Sequence, residues 1–378
     1  MKHLFLAIAT LLLASFVVAQ KVDLDPLYST VVFKSLPIEP LGEEFKTYSI
    51  FVSIDDITQQ YYPKYLVNDK INLHGFKKIN GMKEKPDIQI RLNAANFKIT
   101  KTEVKSRVEE TKDKSGKVTS TKTYYKLNIA HSFDASYEVV NLKENKTLIK
   151  TSLTNNTINI YNTQEYNNKN SLMEYYKLNQ NLIIKEIITG RFTSFYSLIN
   201  DKINLFYGFP NKKETVKLWV LDTKKHPEYE EHQKNLNGLK ELYTTFNPNE
   251  PLDGIKENAK PYIDYLNGLL NKYTSEEKPD KKMRYSAFYN LGMLYLYLDM
   301  PDKAIEMGNK LIINDYDKGD GKSIIKNAEE LKVLFEKNKI YTRHFVRDLG
   351  DNPEVVESSE VTNPSNTIEE PVENPSNN

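Results

Sequence analysis

Near residue 170 the spacing of apolar residues changes, and that change limits the possible folds more than any other feature of the chain. Before it, TYSIFVSI (47–54), PDIQIRL (86–92), TYYKLNIA (123–130) and ASYEVVNL (135–142) place apolar side chains at alternate positions. That is the pattern of strands with one buried face. After it, Leu182, Ile183, Ile187, Phe195, Leu198, Ile199, Ile203 and Phe206 recur at helical intervals, with Gly190 as the expected break. TVKLWVLD (215–222) returns briefly to strand character and holds the only tryptophan. Beyond Pro227 five helices are expected, over 228–245, 255–272, 282–298, 301–314 and 322–338, with Pro251 and Pro279 in the connecting loops. The expected fold class is α+β. An antiparallel β-rich domain with some helices covers 20–225, and an all-α array follows over 226–347.

Within the first region, KSRVEETKDKSGKVTSTKT is polar around a Lys-Ser-Gly-Lys turn. It reads as a long exposed hairpin with its tip at Asp113 to Lys117. NLKENKTLI (141–149) reads as a second hairpin turning at Glu144-Asn145, and short helical pieces are expected around Ile57 to Leu66.

The ends carry different signals. Lys2 precedes an apolar stretch from Leu4 to Val18, and Val17-Val18-Ala19 presents small residues before a cleavage point. This reads as a secretory signal peptide, residues 1–19, rather than a membrane anchor, because the run is shorter than the ~20 residues a span needs. An exported protein, periplasmic or secreted, is expected, with no membrane span. The chain has no cysteine, so disulfides, thiolate metal sites and cysteine nucleophiles are excluded and stability rests on a packed core. Without Lys2 the chain carries 51 basic and 51 acidic side chains. Eight of the acids lie in 348–378, which has no Lys or Arg and repeats Asn-Pro-Ser-Asn. That acidic, proline-rich tail is expected to be disordered. The body is then only mildly basic, which argues against nucleic acid as a partner.

AFYNLGMLYLYLDMPDKAIEMGNKLI (287–312) resembles a tetratricopeptide repeat, a helix–turn–helix unit. Phe288 stands where that family usually has Trp, Asn290-Leu291-Gly292 and Tyr295 match its first helix, and Ala304, Gly308 and Leu311 fill the packing positions of its second. Pro301 begins the second helix, and Tyr316 replaces the family's terminal proline. Ala259, Ile263 and Leu266 repeat the second-helix spacing in a degenerate neighbouring unit. The resemblance implies a partner-holding role. In the family's geometry the inner face of the first helix here is formed by Ser286, Tyr289, Met293, Leu296 and Tyr297. Four of these, Tyr289, Met293, Leu296 and Tyr297, are apolar or aromatic, so either the chain's own domains cover the face or a protein partner does, and in the second case these four are its expected contacts. Richness in Lys, Asn, Ile and Tyr is similar to that of exported envelope proteins of Bacteroidota.

No pattern points to catalysis, a cofactor or a metal. NDYDKGDGKS (314–323) lacks the first glycine of a phosphate loop, where Tyr316 stands. It also lacks the Gly and Glu of a calcium loop, having Asp320 and Lys326 there. It reads as a turn between helices, with Gly319 or Gly321 at positive φ and Asp320 or Ser323 as the next cap. His226 and His232 do not share a helix face, and Asp55-Asp56 at a strand end reads as a cap. The expectation is a non-enzymatic exported envelope scaffold. The alternatives are a glycan-binding module, suggested by 25 tyrosines, or a hydrolase whose paired carboxylates leave no local signature.

Overall fold

A computed structural model describes residues 21–81, 83–154 and 158–350. The stretch read as a signal peptide, residues 1–19, and nearly all of the acidic tail lie outside the described residues. The fold is α+β, with strands concentrated in the N-terminal part and helices in the C-terminal part.

Two sheets are present. Strand β1 (Leu24–Lys34) pairs antiparallel with β8 (Asn211–Leu221) as a two-stranded ribbon, Leu24 opposite Leu221 and Lys34 opposite Asn211. The larger sheet contains β2 (Thr47–Ile54), β3 (Lys77–Lys78), β4 (Ile88–Lys112), β5 (Val118–Asn141), β6 (Lys146–Ser152) and β7 (Asn159–Asn162). Its order is β3-β2-β4-β5-β6, with β7 also on β5. One feature departs from the antiparallel expectation: β2 runs parallel to both β3 and β4. The crossover from β2 to β4 carries helices α1 (Asp56–Tyr61) and α2 (Tyr65–Asn68), as parallel strands require. Asp55 caps α1, its Oδ1 accepting from Thr58 N at 2.8 Å.

The two expected strands at 123–130 and 135–142 are one continuous β5, antiparallel to β4 along almost its whole length. Bulges between Ala95 and Lys98 and between Ile99 and Lys101 bend β4, with Asn96 at φ 59°. Both hairpin turns lie where the sequence placed them, with Gly116 at φ 84° and Asn145 at φ 52°.

Helix α3 (Lys169–Phe206) buries Phe192, Phe195, Ile199 and Ile203, with Phe192 and Phe195 packed on Phe133 of β5 in the large sheet. It runs unbroken through Gly190 and bends at Asn179 instead (φ −117°, ψ 18°). There the Asn179 side chain donates to Tyr175 O at 2.8 Å, a local bond that competes with the helical ladder. The remaining helices are α4 (Tyr229–Thr244), α5 (Asp253–Lys272), α6 (Lys278–Tyr297), α7 (Pro301–Asn314) and α8 (Lys318–Asn338). Pro279 lies in the first turn of α6, not in the loop before it, and Pro301 opens α7.

Buried apolar side chains run without interruption from Ile88, Ile90 and Leu92 of the sheet, through Val216 and Leu218 of the ribbon, to Leu291 and Leu294 of α6. After α8 the chain returns as an irregular strap that ties these parts together. Arg343 bonds Asp299 Oδ1 at 2.7 Å and Leu296 O at 2.7 Å and stacks on Phe33. Arg347 bonds Gly75 O and Phe45 O, both at 2.9 Å, and stacks on Phe76. Among the described residues no helix is long and apolar enough to cross a membrane.

Candidate partner-binding surfaces

The inner face of α6 is where the sequence expects either internal packing or a partner, and the chain's own β1–β8 ribbon lies on it. Ser286, Tyr289, Leu296 and Tyr297 are buried and Met293 is half-buried. Of the four expected contacts, Tyr289, Leu296 and Tyr297 are therefore largely closed to a protein partner, and Met293 is half-open. The cause is specific. Asn290 projects from α6 to the outer edge of β8, where its Oδ1 accepts from Trp219 N and its Nδ2 donates to Trp219 O, both at 2.9 Å. A side-chain amide thus takes the place of a neighbouring strand. Tyr297 donates to Glu214 Oε2 at 2.9 Å and packs beside Phe33 and Tyr243. Burial, with the Glu214 carboxylate beside it, raises the Tyr297 pKa. Burial works against the Glu214 charge, but hydrogen bonds from Lys212 and Tyr297 hold its pKa below the usual value.

His232 of α4 completes this seam. Its Nδ1 accepts from Leu221 N at 3.3 Å, so Nε2 carries the proton and faces Ser286 Oγ at 3.3 Å. Ser286 in turn donates to Met283 O at 3.1 Å. The imidazole is fully buried, and burial, with His226 nearby, pushes its pKa down to about 4. Both of its nitrogens serve packing.

Within 314–323 the turn is confined to Asp315, Tyr316 and Asp317, since Asn314 ends α7 and α8 begins at Lys318, and it is built from other residues than the sequence suggested. Asp315 takes the left-handed conformation at φ 55°, and Asp317 caps α8 by accepting from Gly319 N at 2.9 Å. Gly321 is inside α8, where an added Cβ would lie 2.6 Å from Gly308 O. The glycines are there for the close approach of α7 and α8. Among the described residues, no cluster of three or more His, Asp or Glu side chains could hold a metal ion.

Three surfaces remain open. The first is the β4–β5 arm, in which every residue from Lys105 to Lys122 is exposed. Asp113 folds its carboxylate into the tip, accepting from Ser115 N at 2.8 Å and Lys117 N at 3.0 Å. At the root, Arg107 grips Glu165 (Nη2–Oε2 2.7 Å), bonds Glu109 and lies over Tyr124 at 4.5 Å. The second surface is beside that root. Tyr166 and Tyr175 have ring centres 5.4 Å apart, and Tyr161 donates to Glu186 Oε2 at 2.5 Å. All three tyrosines are half-buried. The third is a groove of about 280 Å³ between the start of β8 and α8, with Leu296 and Tyr297 at its floor and Asn327 and Leu334 on its wall. The sequence disclosed the arm as a long exposed hairpin, but the groove was not legible, because it depends on how β8 and α8 come to lie beside each other.

No family model matches the chain, and no curated protein matches it in sequence. Among solved structures it is similar to a neuraminyllactose-binding hemagglutinin homolog from Helicobacter pylori. The identity is 12% and the TM-score 0.22, over 44% of this chain and 89% of that one. A likeness this slight carries no argument about fold or function.

Proposed function

We propose that the protein is a non-enzymatic scaffold of an exported, cell-envelope compartment, and that it engages a protein partner through the projecting β4–β5 arm. The single observation behind this reading is the exposure of the arm on both faces along its outer length. An isolated two-stranded ribbon is marginal in water, and beyond Arg107, which holds Glu165, this one packs on nothing of the rest of the chain. Its charges also point outward. Glu103 is shared by Lys101 and Lys105, whereas Lys114, Lys117 and Lys122 at and near the tip form no ion pair among the described residues. A protein surface of acidic character suits them. The tetratricopeptide-like helices then serve as an internal clamp that holds the sheet and the arm in fixed relation.

The test replaces residues 110–121 by an Asn-Gly turn between Glu109 and Lys122, which are paired across the arm, and so keeps Arg107 on Glu165. The body should keep its urea midpoint, because nothing in its core rests on the removed segment. Cross-linking from the tagged protein in its native host should lose its partner. Retention of the same cross-linked partner would remove the arm from the reading.

A second reading, an envelope glycan-binding module, is favoured by the Tyr161, Tyr166 and Tyr175 cluster beside Glu186. Aromatic faces next to a carboxylate suit sugar rings with their hydroxyls. Calorimetry with soluble envelope polysaccharide, comparing the protein with its Tyr166→Ala/Tyr175→Ala variant, separates the two readings. Heat lost in the variant supports the glycan.

A further inference from the structure

The outer edge of β8 is capped for only part of its length. In an antiparallel pair, alternate residues turn both N–H and C=O away from the partner strand. Trp219 is one of these, its two groups going to Asn290. Leu221 is another, its N–H donating to His232 and its C=O accepting from Gln233 at 2.9 Å. On β1, Lys34 follows the same alternation, its N–H donating outward to Arg343 O at 2.9 Å. Pro26, which lacks an N–H, sits opposite Trp219, where none is needed for the pairing. By this alternation Lys213, Thr215 and Lys217 also point their backbone groups outward. No described residue bonds those groups. Lys213 and Thr215 are exposed and Lys217 is half-buried. The edge runs toward the open groove in front of α8.

We infer that β8 accepts an additional strand: an extended, acidic segment of a partner protein that pairs with the backbone at Lys213–Lys217 and lies along the groove between β8 and α8. Alternating donors and acceptors at a two-residue spacing match an extended polypeptide. The side chains set its charge. Lys212 pairs with Glu214 at 2.6 Å, and Lys217 lies over Trp219 at 4.4 Å with Asp320 at 3.9 Å. Lys213 forms no ion pair among the described residues. Lysines on an open edge oppose pairing with another copy of the same edge and favour carboxylate-bearing strands. This inference is independent of the role assigned to the arm, because the two surfaces share no residue.

The probe is a fluorescein-labelled synthetic peptide, Thr-Glu-Val-Glu-Val-Glu-Thr, added to the full chain after its export segment is removed. Anisotropy measures binding, and amide hydrogen exchange follows residues 213, 215 and 217. We expect those amides to exchange quickly in the free protein and to slow when the peptide is present. Alternate N-methylation of the peptide should weaken binding at least tenfold, and Thr215→Pro should do the same. Lys213→Glu should weaken it several-fold. Thr215→Pro removes an outward N–H and leaves the pairing with β1 intact, which slow exchange at Val216 and Leu218 will verify. If that variant fails to fold, the N-methylated peptide and Lys213→Glu decide the question. Absence of binding at millimolar peptide would overturn the inference. So would equal binding of the N-methylated peptide, or edge amides already protected in the free chain, for example by its own residues beyond 350.

Discussion

Asn290 carries more of this structure than its size suggests. It is fully buried, and it alone satisfies both backbone groups of Trp219. Asn290→Ala would leave a buried donor and acceptor without partners, at a cost of about 3 kcal/mol. A urea midpoint equal to that of the parent would contradict the role given to it. His232 makes the same seam sensitive to pH. The folded protein holds this imidazole neutral down to about pH 4, against an ordinary value of 6.5. The unfolded chain therefore takes up a proton first as pH falls. Stability from this group is complete above about pH 6.5 and is lost progressively down to about pH 4, by about 3 kcal/mol. His74, His131, His226 and His344 are shifted in the same direction, chiefly by burial, so they deepen the fall. Urea unfolding at pH 7.5 and pH 5 should show a lower midpoint at pH 5, and His232→Gln should reduce the difference. A midpoint that rises on acidification would contradict the assignment.

At the scale of elements, two glycines separate close packing from simple tolerance. Gly321 of α8 faces Gly308 O, and an added Cβ would also lie 3.0 Å from Leu311 and from Ile312 of α7. Gly321→Ala should destabilise by about 1–3 kcal/mol as the helices are forced apart. At Gly190, midway along α3, an added Cβ would meet no atom within 4 Å. Gly190→Ala should stabilise by up to about 1 kcal/mol through helix propensity. Opposite signs in thermal melts are the expected result, and equal effects would contradict it. The same pair shows what the sequence disclosed. Period and turn chemistry located the strands at 47–54 and 215–222, the hairpin tip near Gly116 and the helix from 171 onward. They could not locate the bend of α3, because a glycine only permits a bend, whereas Asn179 makes one through its own side chain. Nor could they pair β1 with β8, which lie some 190 residues apart and leave no trace in local spacing. The cap of α8 is Asp317 and not the expected Asp320 or Ser323. Several polar residues there satisfy the same capping chemistry, and only the backbone path distinguishes them.

Over the whole molecule, the sheet, the ribbon and the helices share buried side chains, and the strap through Arg343 and Arg347 joins the end of the helical array back to the first strands. The resemblance to a partner-holding repeat identified the inner face of α6 as apolar. It left open whether the chain's own domains or a partner would cover that face, and it could not name the β1–β8 ribbon, because the ribbon's arrival depends on pairing between distant segments. The central claim is that the Tyr289 and Tyr297 rings of this face are internal packing, and that partners are met at the arm and along the outer edge of β8. Urea unfolding of Tyr289→Ala/Tyr297→Ala tests it most directly. Both rings are buried against the ribbon and its neighbours, Tyr289 beside Trp219 and Tyr297 beside Phe33 and Tyr243. Loss of both should cost about 5 kcal/mol or more, as paired large-to-small core changes do. A double variant that unfolds at the parent's urea midpoint would mean that the face is free after all, and would return it to the partner.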